Sequence, residues 1–259
     1  MEREVFEYKH IECEEDLVNL VMEVYQNFYW EVVGTQTVVS KDSHLEKGGF
    51  LDDNIYSVTT EERFVTLDFK RGKSIPNLEE IKSIEREYLG GMSVISKEVL
   101  INRIENLKSE LAEIEASLRK NLHEAGATAY SLFIKGEMEV EDKNVQEVFH
   151  QIKSIDNEIN SFTHQIEDIK AQQTTGGFFS RLKDKASSTA KIAKIKLDRR
   201  SKRKEKEQKM PVFGGELYSC YKKGISTPST LQNIWDTIDM LKEVEKRKKE
   251  AYSFLSTRI

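Results

Sequence analysis

The sequence predicts a mainly helical α+β protein, in which a small antiparallel or mixed β-sheet domain precedes two antiparallel coiled-coil helical hairpins. Strand and helix patterns alternate over about the first ninety residues, and apolar residues spaced by three and four run through much of the remainder. The 259 residues include only three prolines, which favours long helices because proline ends or kinks them. Charged residues amount to 33% of the chain, as expected for helices with a solvated face.

Residues 1–92 are predicted to form the small α+β domain, beginning with a strand and a helix. Val5 to Cys13 alternates apolar and polar residues, as a half-buried strand does. Glu14 to Phe28 then places its apolar residues on one helical face. Strand patterns resume at Trp30 and again at Arg63 to Lys70.

The remaining parts of this domain are a connection and a second helix. The whole stretch between the strand patterns at Trp30 and at Arg63 carries Gly48-Gly49 and Asp52-Asp53 and is predicted to be a loop or the tip of a long hairpin. The second helix is predicted to begin at a capping box formed by Asn77 and Glu80 and to end at Gly90. The order is therefore β-α-β-β-α, in an antiparallel or mixed sheet.

Three short motifs stand in this domain: Tyr8-Lys9, Trp30-Glu31-Val32-Val33-Gly34 and Phe69-Lys70-Arg71. Over residues 5–71 they resemble a small bacterial α+β domain family of unknown function, whose pattern is Tyr-Lys, Gly-Trp-Glu-Leu-Val and a last strand ending in Phe-Lys-Arg. Tyr29 occupies the position of the family's glycine, and the insertion before the last strand is longer than in the family. The resemblance implies no chemistry.

Residues 93–173 are predicted to form the first helical hairpin. Apolar residues recur at spacings of three and four in both of its halves, from Leu100 to Leu118 and from Val145 to Ile169. Such a seam has a period of about 3.5 residues, which is typical of a coiled coil. Gly136 is predicted to end the first helix, and the short connection after it requires the two helices to run antiparallel.

Residues 174–259 are predicted to form a second, diverged hairpin that repeats the first. Residues 126–136 align with residues 214–224 at a constant offset of 88, with glycine, tyrosine and Lys-Gly at matching positions. After a two-residue deletion in the turn, the seam of 145–155 aligns with that of 231–241. These matches predict an internal duplication, with Thr227-Pro228 opening the last helix as N-cap and first helical residue.

The hairpins carry a helix end of the form Gly-x-x-x-Tyr-x-Leu, then Lys-Gly and a heptad helix. Over residues 95–255 they resemble helical segments of bacterial proteins of unknown function that often carry a C-terminal zinc ribbon. This sequence lacks the Cys-x-x-Cys pairs of that ribbon, so the resemblance implies no zinc here.

The net charge of −5 is distributed unevenly along the chain. Residues 176–209 hold 13 Lys and Arg against 4 Asp and Glu, and residues 1–175 carry a formal charge of −16. Within the basic block, residues 178–197 can form a basic amphipathic helix. Beyond Leu197 the apolar seam fails, because Arg199, Lys202 and Lys206 stand where the first copy has leucine and isoleucine.

Three interpretations of the basic block remain open. It can be a solvated helix that packs partly on the other hairpin, with its charges facing water or the acidic half of the chain. Residues 178–197 can instead contact an anionic membrane surface, or residues 199–204 a nucleic acid. Aromatic residues that could stack on bases are not interleaved there, which argues against nucleic acid. The candidate contact residues are Phe178, Phe179, Arg181, Leu182, Lys183, Lys185, Arg199, Arg200, Lys202 and Arg203.

No catalytic residue, metal ligand or cofactor is expected. The sequence has no phosphate-binding loop motif, its five histidines are scattered, and Cys13 and Cys220 are expected to be free thiols in a reducing compartment. Neither a secretory signal nor an apolar run of membrane-spanning length is recognised. We therefore expect a cytoplasmic, non-catalytic scaffold or adaptor that acts through coiled-coil contacts with a protein partner or a second copy. Peripheral location at the inner membrane face is the alternative.

Overall fold

The mainly helical α+β class is confirmed, with a mixed four-stranded sheet near the N-terminus followed by long helices. The computed structural model describes residues 5–47, 55–172 and 178–258, and their side chains except those of 40–62 and 172–187. Residues 48–53, predicted as a loop or hairpin tip, lie outside the described residues.

The sheet contains β1 (Phe6–Glu14), β2 (Glu31–Lys47), β3 (Ile55–Gly72) and β4 (Val94–Ile95) in the order β2-β3-β1-β4. β3 runs antiparallel to both β1 and β2, whereas β4 is parallel to β1, so the sheet is mixed. The sequence did not predict β4, because two residues are too short for a period-2 pattern. β2 and β3 stay paired out to Lys47 opposite Ile55, which confirms a long hairpin.

Two short helices accompany the sheet: α1 (Val18–Gln26), preceded by a 3₁₀ turn, and α2 (Leu78–Leu89). The buried face of β1 carries Ile11 and Cys13, which belong to the same core cluster as Val24 of α1. The capping-box prediction is wrong, because Asn77 has a left-handed backbone (φ 57°) and its side chain makes no cap hydrogen bond. Gly90 (φ 61°) ends α2 as predicted.

Four long helices follow: α3 (Lys97–Lys135), α4 (Lys143–Gln172), α5 (Phe178–Lys222) and α6 (Gln232–Ser256). Gly136 (φ 70°) ends α3 as predicted, and Gly224 (φ 83°) does the same for α5. The predicted start of the last helix is wrong. A 3₁₀ turn follows Pro228, and Thr227 accepts a hydrogen bond from the indole of Trp235 at 3.0 Å instead of capping the helix.

The chain divides into two compact units: residues 1–113 with 244–259, here called the N-terminal unit, and residues 114–243, here called the helical unit. The core of the N-terminal unit includes Leu100 and Leu107 of α3 and Ala251 and Leu255 of α6 in addition to the sheet and the short helices. The first half of the α3 seam is thus buried within the N-terminal unit. The domain boundaries at 92–93 and 173–174 stay a prediction, since burial does not establish which segments fold alone.

Within the helical unit, consecutive helices pack together at their turns. The rings of Phe133 and Phe149 lie 5.0 Å apart after the α3–α4 turn, and Tyr221 stacks on Trp235 at 5.8 Å across the α5–α6 turn. These contacts agree with the two predicted hairpins at their closed ends.

α4 and α5 form a long antiparallel pair, which agrees with the first interpretation of the basic block, a helix that packs partly on the other hairpin, although the length of the pair was not predicted. In the contacts between the two helices, residue numbers rise along α4 while they fall along α5, as in an antiparallel pair. The contacts are Asn144 with Glu216 at 3.5 Å, Asp156 with Lys206 at 2.6 Å and Thr163 with Arg199 at 3.4 Å. Isoleucines of the α4 seam are buried along the same stretch: Ile152, Ile155, Ile159 and Ile166.

Candidate functional site

Residues of the three N-terminal motifs converge on one carboxylate. The Trp30 indole and the Nη1 of Arg71 each donate a hydrogen bond of 2.9 Å to Oε2 of Glu85, and the Lys9 ammonium forms an ion pair with Oε1. Glu85 lies on α2 and is nearly buried, with 8% of its side chain exposed. One acid therefore ties together two strands and the residue that precedes β2.

The register of β1 and β3 explains why charged side chains lie close to Glu85. Glu7 and Arg71 are direct cross-strand partners in the β1–β3 pair, and the Nε of Arg71 donates to Glu7 at 2.7 Å. Because side chains alternate across a strand, Glu7 and Lys9 share the face of β1 that carries Ile11 in the core. The core face of the sheet thus ends in charged residues. We call Glu7, Lys9, Trp30, Arg71, Lys82 and Glu85 the charged cluster.

Arg71 is the most enclosed member of the charged cluster, with 2% of its side chain exposed. Besides its two carboxylate partners, it donates from Nη1 to the backbone oxygen of Phe28 at 3.1 Å. Its guanidinium carbon lies 4.1 Å from the ring centroid of Trp30, a cation–π geometry. Such extensive pairing is what a buried cation needs to offset its desolvation.

The charged cluster borders a cavity of about 270 Å³. Four cationic side chains line the cavity against two carboxylates, and Lys9 and Lys82 each keep 27% of their side chains exposed. Tyr25 and Trp30 supply aromatic walls. The pKa of the Tyr25 hydroxyl is raised by burial and then by the charge of Glu85, so this tyrosine stays neutral.

No function was predicted for this cluster from the sequence, and Glu85 was not among the predicted site residues. The sequence does contain an indication of this role, since Glu85 stands four residues after Ile81 and therefore on the apolar face of α2. A carboxylate at an apolar-face position requires a buried partner.

Glu7 makes the stability of the N-terminal unit depend on pH. Burial opposes its ionisation, but the hydrogen bonds and charges of Arg71 and Lys82 outweigh burial and lower the pKa of Glu7. A lowered pKa stabilises the fold above the unfolded pKa, and that contribution is lost as pH falls through the folded pKa.

We therefore expect Glu7→Gln to lower the free energy of unfolding at neutral pH, and the deficit to shrink as pH falls from about 5 towards 3. Urea titrations of both proteins at matched pH measure this difference. A deficit of constant size over that range would show that the charge of Glu7 is not what stabilises the fold.

The second candidate site is the set of ten contact residues predicted in the basic block, all of which lie in α5. Six of the ten predicted contact residues, Phe178, Phe179, Arg181, Leu182, Lys183 and Lys185, have side chains outside the described residues. Arg199 faces α4, where its Nη1 lies 3.4 Å from Thr163, and Lys202 pairs with Glu158 of α4 at 3.0 Å. Arg200 and Arg203 are exposed. Of the four predicted residues whose side chains are described, Arg199 and Lys202 thus contact α4, whereas Arg200 and Arg203 are exposed.

Six exposed cations on two helices of the helical unit are here called the basic patch. Its members are Arg119 and Lys120 of α3 and Lys196, Arg200, Arg203 and Lys204 of α5. Among the residues that the structure describes, none of the six has an ion-pair partner. A shallow hollow of about 410 Å³ lies between Arg119, Lys120 and Lys204, beside a contact of 2.6 Å between His123 and Glu207.

α3 and α5 make a close crossing at two glycines. A Cβ on Gly126 would collide with the backbone oxygen of Met210, and a Cβ on Gly214 would collide with that of Leu122. Each such Cβ would also stand 3.1 Å from the backbone nitrogen of the other glycine. The four positions form two pairs related by the offset of 88, so the contact is reciprocal.

The tyrosines that follow these glycines occupy similar surroundings. Tyr130 donates its hydroxyl to Asp156 of α4 at 3.1 Å, and Tyr218 donates to Asp239 of α6. Burial raises the pKa of both hydroxyls, and the neighbouring aspartate raises each pKa further. A lysine ammonium lies over each ring, at 4.7 Å for Tyr130 and 4.2 Å for Tyr218.

Comparison with known proteins finds no match to a family model, to a curated protein or to a solved structure. Within the described residues, no helix is long and apolar enough to cross a membrane. No group of three or more His, Cys, Asp or Glu residues suited to a metal ion occurs in that part of the chain.

Proposed function

We propose that the protein is a non-catalytic scaffold or adaptor that binds an acidic protein partner through the basic patch. The observation that supports this function is the division of charge on α5. Lys202 and Lys206 pair with acids of α4, whereas Arg200 and Arg203 are exposed.

The α4–α5 pair suits such a role because its internal contacts hold the patch in place. The α4 side of its seam is apolar and ion pairs bridge the two helices, so binding need not order the backbone beneath the patch. Exposed charges of one sign accelerate and orient encounter with an oppositely charged surface, and salt weakens this attraction. A reducing, cytoplasmic setting fits the two buried free cysteines.

Charge reversal tests the proposed surface. Arg200→Glu/Arg203→Glu/Lys204→Glu should abolish capture of the specific partner from extracts of the native host, in a comparison quantified by mass spectrometry. Lys73→Glu/Lys108→Glu/Lys135→Glu changes the net charge equally at exposed lysines elsewhere and should leave capture intact. Equal recovery of the same partner by both variants would exclude the basic patch, and recovery of nucleic acid in place of protein would exclude a protein partner.

An anionic membrane surface is the second candidate partner. Leu197 is 66% exposed and stands in the chain between Lys196 and Arg200. A helix that lies at a membrane surface inserts such an apolar side chain among the lipid headgroups while its cations contact the anionic lipid. Co-sedimentation with vesicles of anionic phospholipid at low salt should then fall on Leu197→Asp and on Phe178→Asp/Phe179→Asp. Absence of co-sedimentation at low salt would remove this candidate.

We also propose that the helical unit arose by internal duplication. The reciprocal contacts at Gly126 and Gly214 support this origin, because they follow the same offset of 88 as the sequence match. Equivalent surroundings predict that Gly126→Ala and Gly214→Ala reduce stability by similar amounts. Clearly unequal losses of stability in the two variants would contradict the equivalence of Gly126 and Gly214.

A further inference from the structure

We propose that the cavity beside the charged cluster binds a small organic anion, recognised through phosphate or carboxylate oxygens. This site lies wholly within the N-terminal unit and is separate from the basic patch, so its ligand is distinct from the macromolecular partner. The inference rests on the charges that line the cavity, their accessibility, and the aromatic surface beside them.

The charges of the cavity wall favour an anion. Lys9, Arg71, Lys82 and Arg86 line it, against Glu7 and Glu85. Arg71 is enclosed by both carboxylates, but Lys9 and Lys82 are each about a quarter exposed, and Arg86 is exposed. Three ammonium or guanidinium groups can therefore reach a ligand without disturbing Arg71. Charge-assisted hydrogen bonds to oxyanions are the strong contacts that such groups make.

The two carboxylates keep this wall in place before a ligand arrives. Glu85 holds Lys9, and Oε2 of Glu7 lies 3.3 Å from the ammonium of Lys82. The lysines thus need little ordering on binding, which lowers the entropic cost of recognition. Replacing a buried ionic cluster by apolar side chains is often neutral or stabilising, so fold stability alone does not require these charges.

Size and aromatic surface define the ligand further. The volume of about 270 Å³ lies just below the range of roughly 300–1,000 Å³ that is usual for pockets of drug-sized ligands. The rings of Tyr25 and Trp30 also line the cavity, with the Lys9 ammonium 4.7 Å and 5.1 Å from their centroids, so the non-ionic part of a ligand meets a largely buried aromatic wall. A phosphorylated or carboxylated metabolite of small size fits these limits.

The two tryptophans of the chain provide a direct test on the full-length protein. Trp30 lines the cavity, whereas Trp235 lies in the helical unit, so their two indole N–H resonances report on the cavity and on a control position. Inorganic phosphate, pyrophosphate and citrate are titrated separately at low, constant ionic strength. We expect at least one to shift the Trp30 resonance saturably and to leave that of Trp235 unchanged.

Variants then separate binding from charge screening. Lys82→Ala and Arg86→Ala should each weaken the effective probe by about tenfold or more, whereas Lys108→Ala, an exposed lysine of the same unit, should change binding less than about twofold. Both cavity variants should still capture the macromolecular partner. Loss of anion binding is therefore distinguishable from loss of partner binding at the basic patch. No saturable shift of Trp30 with any of the three probes, or equal weakening by Lys108→Ala, would overturn the proposal.

Discussion

Replacing Glu85 with alanine is expected to lower the local stability of the N-terminal unit by roughly 3 to 5 kcal/mol, the usual cost of removing one partner from a buried ion pair. The substitution removes the acceptor of the Trp30 indole and one of the two carboxylates that pair with Arg71. Because only 2% of the Arg71 side chain is exposed, water cannot replace the lost partner. Hydrogen exchange of β3 backbone amides measures the free energy of this local opening.

Two variants show whether burial causes the loss. Glu79→Ala removes an acid from the same helix at a site whose side chain is 83% exposed, and it should change stability by no more than about 0.5 kcal/mol. Arg71→Met/Glu85→Leu removes both buried charges and should be less destabilised than the sum of its single substitutions. Similar losses for Glu85→Ala and Glu79→Ala would contradict a buried ionic role for Glu85.

The N-terminal fold was predictable where a strand alternates, as in β1 and the second half of β3, whereas most of β2 and the first half of β3 lie in the stretch predicted as a loop or hairpin tip. Ile11 and Cys13 of β1, and Leu67 and Phe69 of β3, are buried as period-2 alternation requires. The charged cluster was harder to predict from the sequence. Its first and last members, Glu7 and Glu85, are 78 residues apart, and the members meet only through strand register and the position of α2. The motifs contributed Lys9, Trp30 and Arg71, but no motif contained their shared acceptor.

The extent of the α4–α5 pair was not predicted, for a different reason. A seam with a period of 3.5 residues specifies which face of a helix is buried but not which helix covers it. Lys202 and Lys206 were interpreted as a failure of the seam, although each pairs with an acid of α4, Glu158 and Asp156. Complementary charge at flanking positions helps to set partner choice in coiled coils, and it was the signal that could have identified this pairing.

Gly214→Ala is expected to destabilise the helical unit although alanine is the better helix former. The new Cβ would collide with the backbone oxygen of Leu122, and a backbone atom cannot rotate away as a side chain can. Helices α3 and α5 would have to separate, and overpacking of this kind costs roughly 1 to 3 kcal/mol. That cost exceeds the gain of at most about 1 kcal/mol from replacing glycine inside a helix.

Gly215 provides the matched control, because it is the next residue of the same helix and a Cβ there would meet nothing within 4 Å. Gly215→Ala should therefore stabilise the protein by about 0.4 to 1 kcal/mol through the reduced entropy of the unfolded chain. Thermal unfolding followed by circular dichroism should give midpoint shifts of opposite sign for the two neighbours. If both substitutions raised the midpoint, α3 and α5 would not approach closely enough to require glycine, and the reciprocal crossing would be refuted.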